Sequence, residues 1–159
     1  KMFNMTIFEM LDYLTSNINE ENMSFVYTLS KLLKISEKSF LNSMKSFKGL
    51  PHRFEIFLKK GNITFINNSK ATSFTATEPA LYSLKNIYWI FGGLPKKNDR
   101  FELLNFKKNI IKCYLIGKNI NFFKNKIQGR IDFSITKTLK KSVLQILKDS
   151  KLQKHNKKA

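Results

Sequence analysis

The sequence predicts an α/β fold on a mostly parallel sheet, with a helical segment in front of it, and three observations predict it. Ile87-Tyr88-Trp89-Ile90-Phe91 and Ile110–Ile116 are apolar on both faces, as strands covered by helices on both sides of a parallel sheet must be. Both runs stop at glycine, at Gly92-Gly93 and at Gly117. Stretches with helical spacing lie between and after them.

The elements follow in order. Met2–Leu14 is apolar with scattered polar residues and shows no dominant period. Asn17–Asn22 is a polar loop that places Glu20 and Glu21 at a helix start, where the helix dipole favours negative charge. Phe25, Val26, Leu29, Leu32 and Leu33 recur on one face, so Asn22–Leu33 is expected to be an amphipathic helix. Ser36, with Ser39 three residues on, suits the cap of a second helix carrying Phe40, Leu41 and Met44. Lys48-Gly49-Leu50-Pro51 breaks this pattern and divides the chain into residues 1–48 and 49–159.

Beyond the break, Phe54–Leu58 is a short apolar stretch and Lys60-Gly61-Asn62 is a turn. Ile63-Thr64-Phe65-Ile66 is β-branched and aromatic, hence a strand. Helices are expected at Thr77–Leu84, Phe101–Phe106 and Asn119–Lys124, and a short strand at Arg130–Phe133. Ser134 is expected to cap a last helix with Ile135, Leu139, Val143, Ile146 and Leu147 on its inner face.

Composition removes several classes of function. No apolar run reaches the ~20 residues of a membrane-spanning helix. Lys1–Leu14 shows no signal-peptide cleavage site. The single cysteine, Cys113, excludes an internal disulfide and fits a reducing compartment. Two histidines and one cysteine do not make a structural zinc site, so none is expected in this chain. The net charge of +18 invites a basic nucleic-acid-binding module. Yet 26 of the 29 basic residues are Lys, and Arg is the residue suited to bidentate phosphate recognition. A drift of the whole composition toward Lys, Asn and Ile gives the same charge, and both readings stay open on these grounds.

Chemistry is expected at polar strand ends, because ligands of parallel sheets bind beyond the carboxyl ends of strands. Asn67-Asn68-Ser69-Lys70-Ala71-Thr72-Ser73 follows the strand at Ile63–Ile66 and supplies a cation, three hydroxyls and two amides, groups suited to an anion. Gly92-Gly93-Leu94-Pro95-Lys96 follows the strand ending at Phe91 and adds a second cation. Adjacent parallel strands would set Lys70 and Lys96 around one crevice. The glycine spacing of the second segment is not that of a P-loop. Cys113 is expected in the core and His155 in solvent. His52 and Arg53 stand together at the break, a titratable group beside one of only three Arg.

These segments carry a resemblance. Phe47-Lys48-Gly49-Leu50-Pro51-His52-Arg53-Phe54-Glu55, then Phe65-Ile66-Asn67-Asn68-Ser69-Lys70-Ala71-Thr72, then Ala76-Thr77 with Ala80-Leu81, then Gly92-Gly93 with Lys96 and Asp99, resemble the Mur ligases in order and spacing. The likeness runs from about Ile18 to the end and is greatest to the D-glutamate-adding branch. It implies a Rossmann-like C-terminal ligase domain over residues 49–159, preceded over residues 1–48 by the end of the central ATP-binding domain. It also implies a cytoplasmic, monomeric bacterial enzyme of peptidoglycan synthesis, with no nucleic-acid partner and no membrane insertion. Such enzymes phosphorylate the carboxylate of UDP-N-acetylmuramoyl-L-alanine with ATP and Mg²⁺, and the amine of D-glutamate then attacks the acyl phosphate.

Residue by residue, the resemblance implies catalytic roles for Lys70 and His52. It implies ATP contacts for Asn19, Asn22, Arg53, Asn68 and Ser69, and D-glutamate contacts for Thr72 and Lys96, with the Mg²⁺ ligands outside this chain. Three positions depart from the family's usual residues: Ile18 for His, Asn68 for Asp and Ser73 for Asn. The family's P-loop and first domain would precede Lys1, and its final strand would follow Ala159. The chain is therefore expected to be a segment that is inactive alone. Another Mur or folylpolyglutamate-type ligase, and the basic nucleic-acid module, are the alternatives.

Overall fold

The computed structural model describes residues 20–156 apart from 48, 98 and 101, so the reading of Met2–Leu14 and the position of Asn19 lie outside the described residues. The chain forms two compact units, one running to Thr72 and the other from Ser73.

The first unit contains helices α1 (Glu20–Leu32) and α2 (Glu37–Ser46). The Ser36 hydroxyl accepts the Ser39 N–H at 3.2 Å, the cap expected from the sequence. Phe40 is buried on α2, with the Tyr27 ring edge-on at 5.2 Å. Two strands follow, β1 (Glu55–Lys60) and β2 (Ile63–Asn67), and they pair antiparallel from Glu55↔Asn67 to Lys60↔Ile63. Only Gly61 and Asn62 join them, and Gly61 takes φ +59°, the sign that a tight two-residue hairpin needs.

This pairing corrects one expectation. The strand at Ile63–Ile66 lies in a two-stranded antiparallel sheet and not beside Ile87–Phe91, so Lys70 and Lys96 do not flank a crevice between adjacent parallel strands. The reason is the turn: two residues suffice to reverse the chain, whereas a parallel partner needs a long crossover.

The second unit bears out the α/β fold class. It runs α3 (Phe74–Ser83), β3 (Ile87–Gly92), β4 (Ile110–Ile116), α4 (Ile120–Ile127), β5 (Phe133–Lys137) and α5 (Leu139–Asn156). The sheet has the order β3-β4-β5 and both pairings are parallel. Alternation along the strands sorts side chains onto two faces. Trp89 and Phe91 turn toward Phe74 of α3 and Phe123 of α4, with ring centroids 5.7–6.2 Å apart. Tyr114 and Lys112 turn the other way, onto Asp149 of α5. The core gathers Phe74, Leu81, Trp89, Leu103, Phe106, Cys113, Leu115, Phe123 and Ile127.

Three boundaries differ from the sequence reading. Two short 3₁₀ turns, Leu103–Asn105 and Lys107–Asn109, stand where a helix over Phe101–Phe106 was expected. The last strand is Phe133–Lys137 and not Arg130–Phe133, because the Arg130 and Ile131 N–H groups both bond Ile127 C=O and close the end of α4. Ser134 pairs with Tyr114 inside β5, so it caps nothing; Thr138 does, accepting the Lys141 N–H through its hydroxyl at 3.3 Å. Ile135 consequently lies in a strand, and Leu139 at the helix start is exposed.

Candidate functional site

The end pair of the hairpin, Glu55↔Asn67, brings the turn entering β1 beside the turn leaving β2. The entering turn is Pro51-His52-Arg53-Phe54, in which His52 and Phe54 adopt φ +65° and +51°. Left-handed backbone is uncommon for residues other than Gly, Asn, Asp and His, so at the bulky Phe54 above all the surroundings must hold it. They do so through backbone ties. The His52 N–H donates to Glu55 Oε2 at 2.9 Å, and the His52 carbonyl accepts the Lys70 N–H at 3.0 Å. The Phe54 N–H donates to Asn68 Oδ1 at 3.1 Å, and the Phe54 ring is buried.

The leaving turn is tied in the same manner. Asn67 Oδ1 accepts the Ser69 N–H at 3.2 Å, and the Ala71 N–H donates to the Asn68 carbonyl at 2.9 Å. The other end of the Asn67 amide lies 2.7 Å from His52 Nδ1 and 3.5 Å from Glu55 Oε2. His52 Nδ1 and Glu55 Oε2 are 3.6 Å apart. Each neutral hydrogen bond contributes only about 0.5–1.5 kcal/mol, but together they fix two loops to each other.

The structure thus brings His52, Arg53, Asn68, Ser69 and Lys70 together at one end of the hairpin. The side chains of Ser69 and Lys70 are exposed there, as is that of Arg53. Thr72 is exposed one residue beyond the turn. Asn22 is on a separate element, the exposed first turns of α1, and Asn19 is outside the described residues. Lys96 belongs to the second unit, exposed in the loop after β3.

That loop leaves the sheet at Gly92, where a Cβ would stand 2.0 Å from the Ile116 carbonyl oxygen, so no other residue fits. The Asn119 amide donates to Gly93 C=O at 2.8 Å and holds the loop against the end of β4. Asp99 accepts the N–H groups of Phe74 at 2.6 Å and Thr75 at 3.4 Å and thereby starts α3 three residues earlier than expected. Ser73 caps the same helix by accepting the Ala76 N–H. Sequence reasoning gave no role to Glu55 or Asp99 and counted Asn67 only among the amides suited to an anion. For Glu55 and Asn67 the readable signal was the pairing across a Gly-Asn hairpin, which puts both beside His52.

A second polar cluster lies between β4 and α5. Asp149 accepts Lys112 Nζ and Tyr114 Oη at 2.7 Å each, and Gln145 Nε2 at 2.8 Å. Burial works to raise its pKa, but the hydrogen bonds from Lys112, Tyr114 and Gln145 and the Lys112 charge outweigh it and hold the carboxyl below its ordinary value. Burial first, and then the bond to Asp149, pushes the Tyr114 phenol up. Burial alone pushes the Cys113 thiol up to about 12, which leaves it an inert member of the core. Among the described residues no three His, Cys, Asp or Glu side chains are placed to hold a metal ion. Nor is any helix among them long and apolar enough to cross a membrane.

No protein-family model matches the chain. Curated relatives do, and they share one name, UDP-N-acetylmuramoylalanine–D-glutamate ligase. The protein of Rhizobium meliloti is 37% identical over 132 residues, which is 83% of this chain and 28% of the relative. That of Wolbachia pipientis is 36% identical over 115 residues, 72% of this chain and 23% of the relative. That of Brucella abortus is 42% identical over 108 residues, 67% of this chain and 23% of the relative. The chain therefore spans about a quarter of the length of these relatives. Identity of this level across most of the chain, on an α/β scaffold with a parallel sheet, shows that the chain belongs to the Mur ligase family, on the branch of the UDP-N-acetylmuramoylalanine–D-glutamate ligases.

Proposed function

We propose that the chain is a segment of a cytoplasmic, ATP-dependent ligase that joins D-glutamate to UDP-N-acetylmuramoyl-L-alanine in peptidoglycan precursor synthesis. The name shared by its relatives supports the substrates. The observation that carries the reading is the pair of tied turns, which present His52, Arg53, Ser69 and Lys70 on one rigid hairpin end. In such a reaction ATP phosphorylates the carboxylate, and the amine displaces phosphate from the acyl phosphate. Both steps develop negative charge on phosphoryl oxygens, which fixed cations and N–H donors stabilise.

In this reading residues 1–48 end the central ATP-binding domain and residues 49–159 form the C-terminal domain. Lys70 and His52 act at the phosphoryl group, and Arg53, Ser69, Asn19 and Asn22 contact the nucleotide. Asn68 does so only through whatever capacity its bond to the Phe54 N–H leaves. Thr72 and Lys96 hold the carboxylates of D-glutamate. A nucleotide brought to this turn meets the cations of Arg53 and Lys70, which suits its phosphates. In this reading ATP arrives with Mg²⁺, whose protein ligands lie outside this chain. The nucleic-acid alternative asks for exposed aromatics among the lysines; Phe25, Phe57 and Phe122 are exposed, but they lie on separate elements, and Phe74, Trp89, Phe106 and Phe123 are buried together.

The test is turnover by the whole protein, followed as ADP released in the presence of UDP-N-acetylmuramoyl-L-alanine and each candidate amino acid. Release only with D-glutamate supports the reading, and preference for another acceptor refutes it. The 159-residue chain alone is expected to show no D-glutamate-dependent release.

A further inference from the structure

The amide of Asn67 is oriented from both ends. Its oxygen accepts the Ser69 N–H at 3.2 Å, so its nitrogen must be the atom 2.7 Å from His52 Nδ1 and 3.5 Å from Glu55 Oε2. Turning the amide over would set its NH₂ against the Ser69 N–H and its oxygen against the Glu55 carboxylate, losing both of those bonds and keeping only one to a protonated Nδ1. An N–H pointing at Nδ1 needs a lone pair there. A proton on Nδ1 would face that donor at 2.7 Å. We propose that Asn67 and Glu55 are positioning residues that hold His52 as the Nε2–H tautomer, with Nδ1 as acceptor and a neutral Nε2–H presented outward to an anionic oxygen of the ligand.

Glu55 has two parts in this. Its carboxylate accepts the His52 N–H and so holds the left-handed backbone, and it draws the Asn67 amide into place. The half-exposed His52 ring then has its second nitrogen free to donate. Which nitrogen of a histidine carries the proton is set by the hydrogen bond at the other one. The tautomer stands on geometry alone; the identity of the acceptor rests on the proposed function, where it is a phosphoryl oxygen of the nucleotide.

The experiment is ¹⁵N–¹H correlation of the imidazole rings in the full chain, at about pH 8.5, above the ordinary imidazole range near 6.5. The chain has two histidines, so the His52 signals are assigned by comparison with His155→Gln, and a short unstructured peptide holding one histidine serves as reference. His52 is expected to show the Nε2–H pattern, with its Nδ1–H population roughly five- to tenfold below that of the reference peptide, the shift one hydrogen bond is worth. In Asn67→Asp, an acceptor replaces the donor and the His52 signals invert to the Nδ1–H pattern. In Asn67→Ala they move to the mixture shown by the reference peptide.

A wild-type His52 that matches the reference peptide, or that carries its proton on Nδ1, overturns the proposal even if neither Asn67 variant keeps its hairpin. So does an unchanged tautomer in Asn67→Asp with intact β1–β2 amide signals. The ATP KM of the whole protein separates the two readings. An unchanged KM in His52→Ala with the tautomer as stated removes His52 from the nucleotide and leaves the positioning by Asn67 and Glu55 supported.

Discussion

The hairpin of the first unit and the sheet of the second are both β structure, and they are held by opposite means. In the second unit Leu103, Phe106, Cys113, Tyr114, Leu115 and Ile127 are fully buried, and helices cover both faces. Along the hairpin, Phe57, Leu58 and Ile56 are exposed, and among the described residues from 49 to 72 only Phe54 is buried. What organises the hairpin end instead is a set of side-chain-to-backbone hydrogen bonds through Glu55, Asn67 and Asn68. Apolar burial makes a scaffold, while polar ties give a loop a defined shape and leave its surface open to a ligand.

The comparison breaks most readily at the core. Phe106→Ala is expected to cost about 3–5 kcal/mol, because a fully buried ring leaves a cavity under α3. Urea unfolding of the chain measures it. A loss below about 1 kcal/mol would mean that the second unit is not held by its packing.

Gly92→Ala is the next largest. The added carbon would stand 2.0 Å from a backbone oxygen of β4, and neither backbone yields without breaking the Gly92↔Ile116 end of the ladder. The expected loss is about 1–3 kcal/mol in thermal or urea unfolding. The same substitution at Gly61 tests strain without contact, since nothing lies within 4 Å there and only its positive φ resists a side chain.

How much of this was legible follows from the same contrast. β3, β4 and the capped α2 were readable because apolar runs and a Ser cap act locally. The parallel sheet followed from strands apolar on both faces. The hairpin pairing was not read, although Gly61-Asn62 between two apolar runs is a hairpin signal. Glu-Ile-Phe-Leu-Lys-Lys does not alternate, because a bulge between Ile56 and Leu58 shifts its register. The β5 boundary was missed because Ile131 is buried in a loop and imitates a strand residue. At the site, His52, Arg53, Ser69 and Lys70 were legible as words. Glu55 and Asn67 were not, since their importance lies in a contact 12 residues apart in sequence that exists only once the hairpin closes.

The Asp149 cluster, within the second unit between β4 and α5, is polar yet supports packing. Its carboxyl is held below the ordinary value in the fold, so the folded state favours the ionised form. That contribution is complete above the unfolded carboxyl range near 3.9 and is lost as pH falls through the lowered folded value. Asp149→Asn is therefore expected to destabilise the chain by about 1–3 kcal/mol at pH 7, leaving Lys112 with a weaker partner. The gap to wild type should close as the pH is lowered below 4. Urea midpoints of both proteins against pH check this, and a gap that widens toward acid would reverse the sign.

The smallest effect is the sharpest check on the contrast. Phe57 is 60% exposed, sits in the bulge of β1 and has the tilted Phe65 ring 6.1 Å from its own. Phe57→Ala removes as many atoms as Phe106→Ala, yet it is expected to change stability by less than about 0.5 kcal/mol. If burial holds the second unit and polar ties hold the hairpin end, the ring is dispensable, and the His52 ring signals should be the same in variant and wild type. A loss of about 2 kcal/mol or more, or a shift of the His52 signals, would show that apolar contact along the strands shapes the turn cluster as well. The hairpin would then be a small core of its own, and the distinction drawn between the two regions would fail at the place where the ligand is proposed to bind.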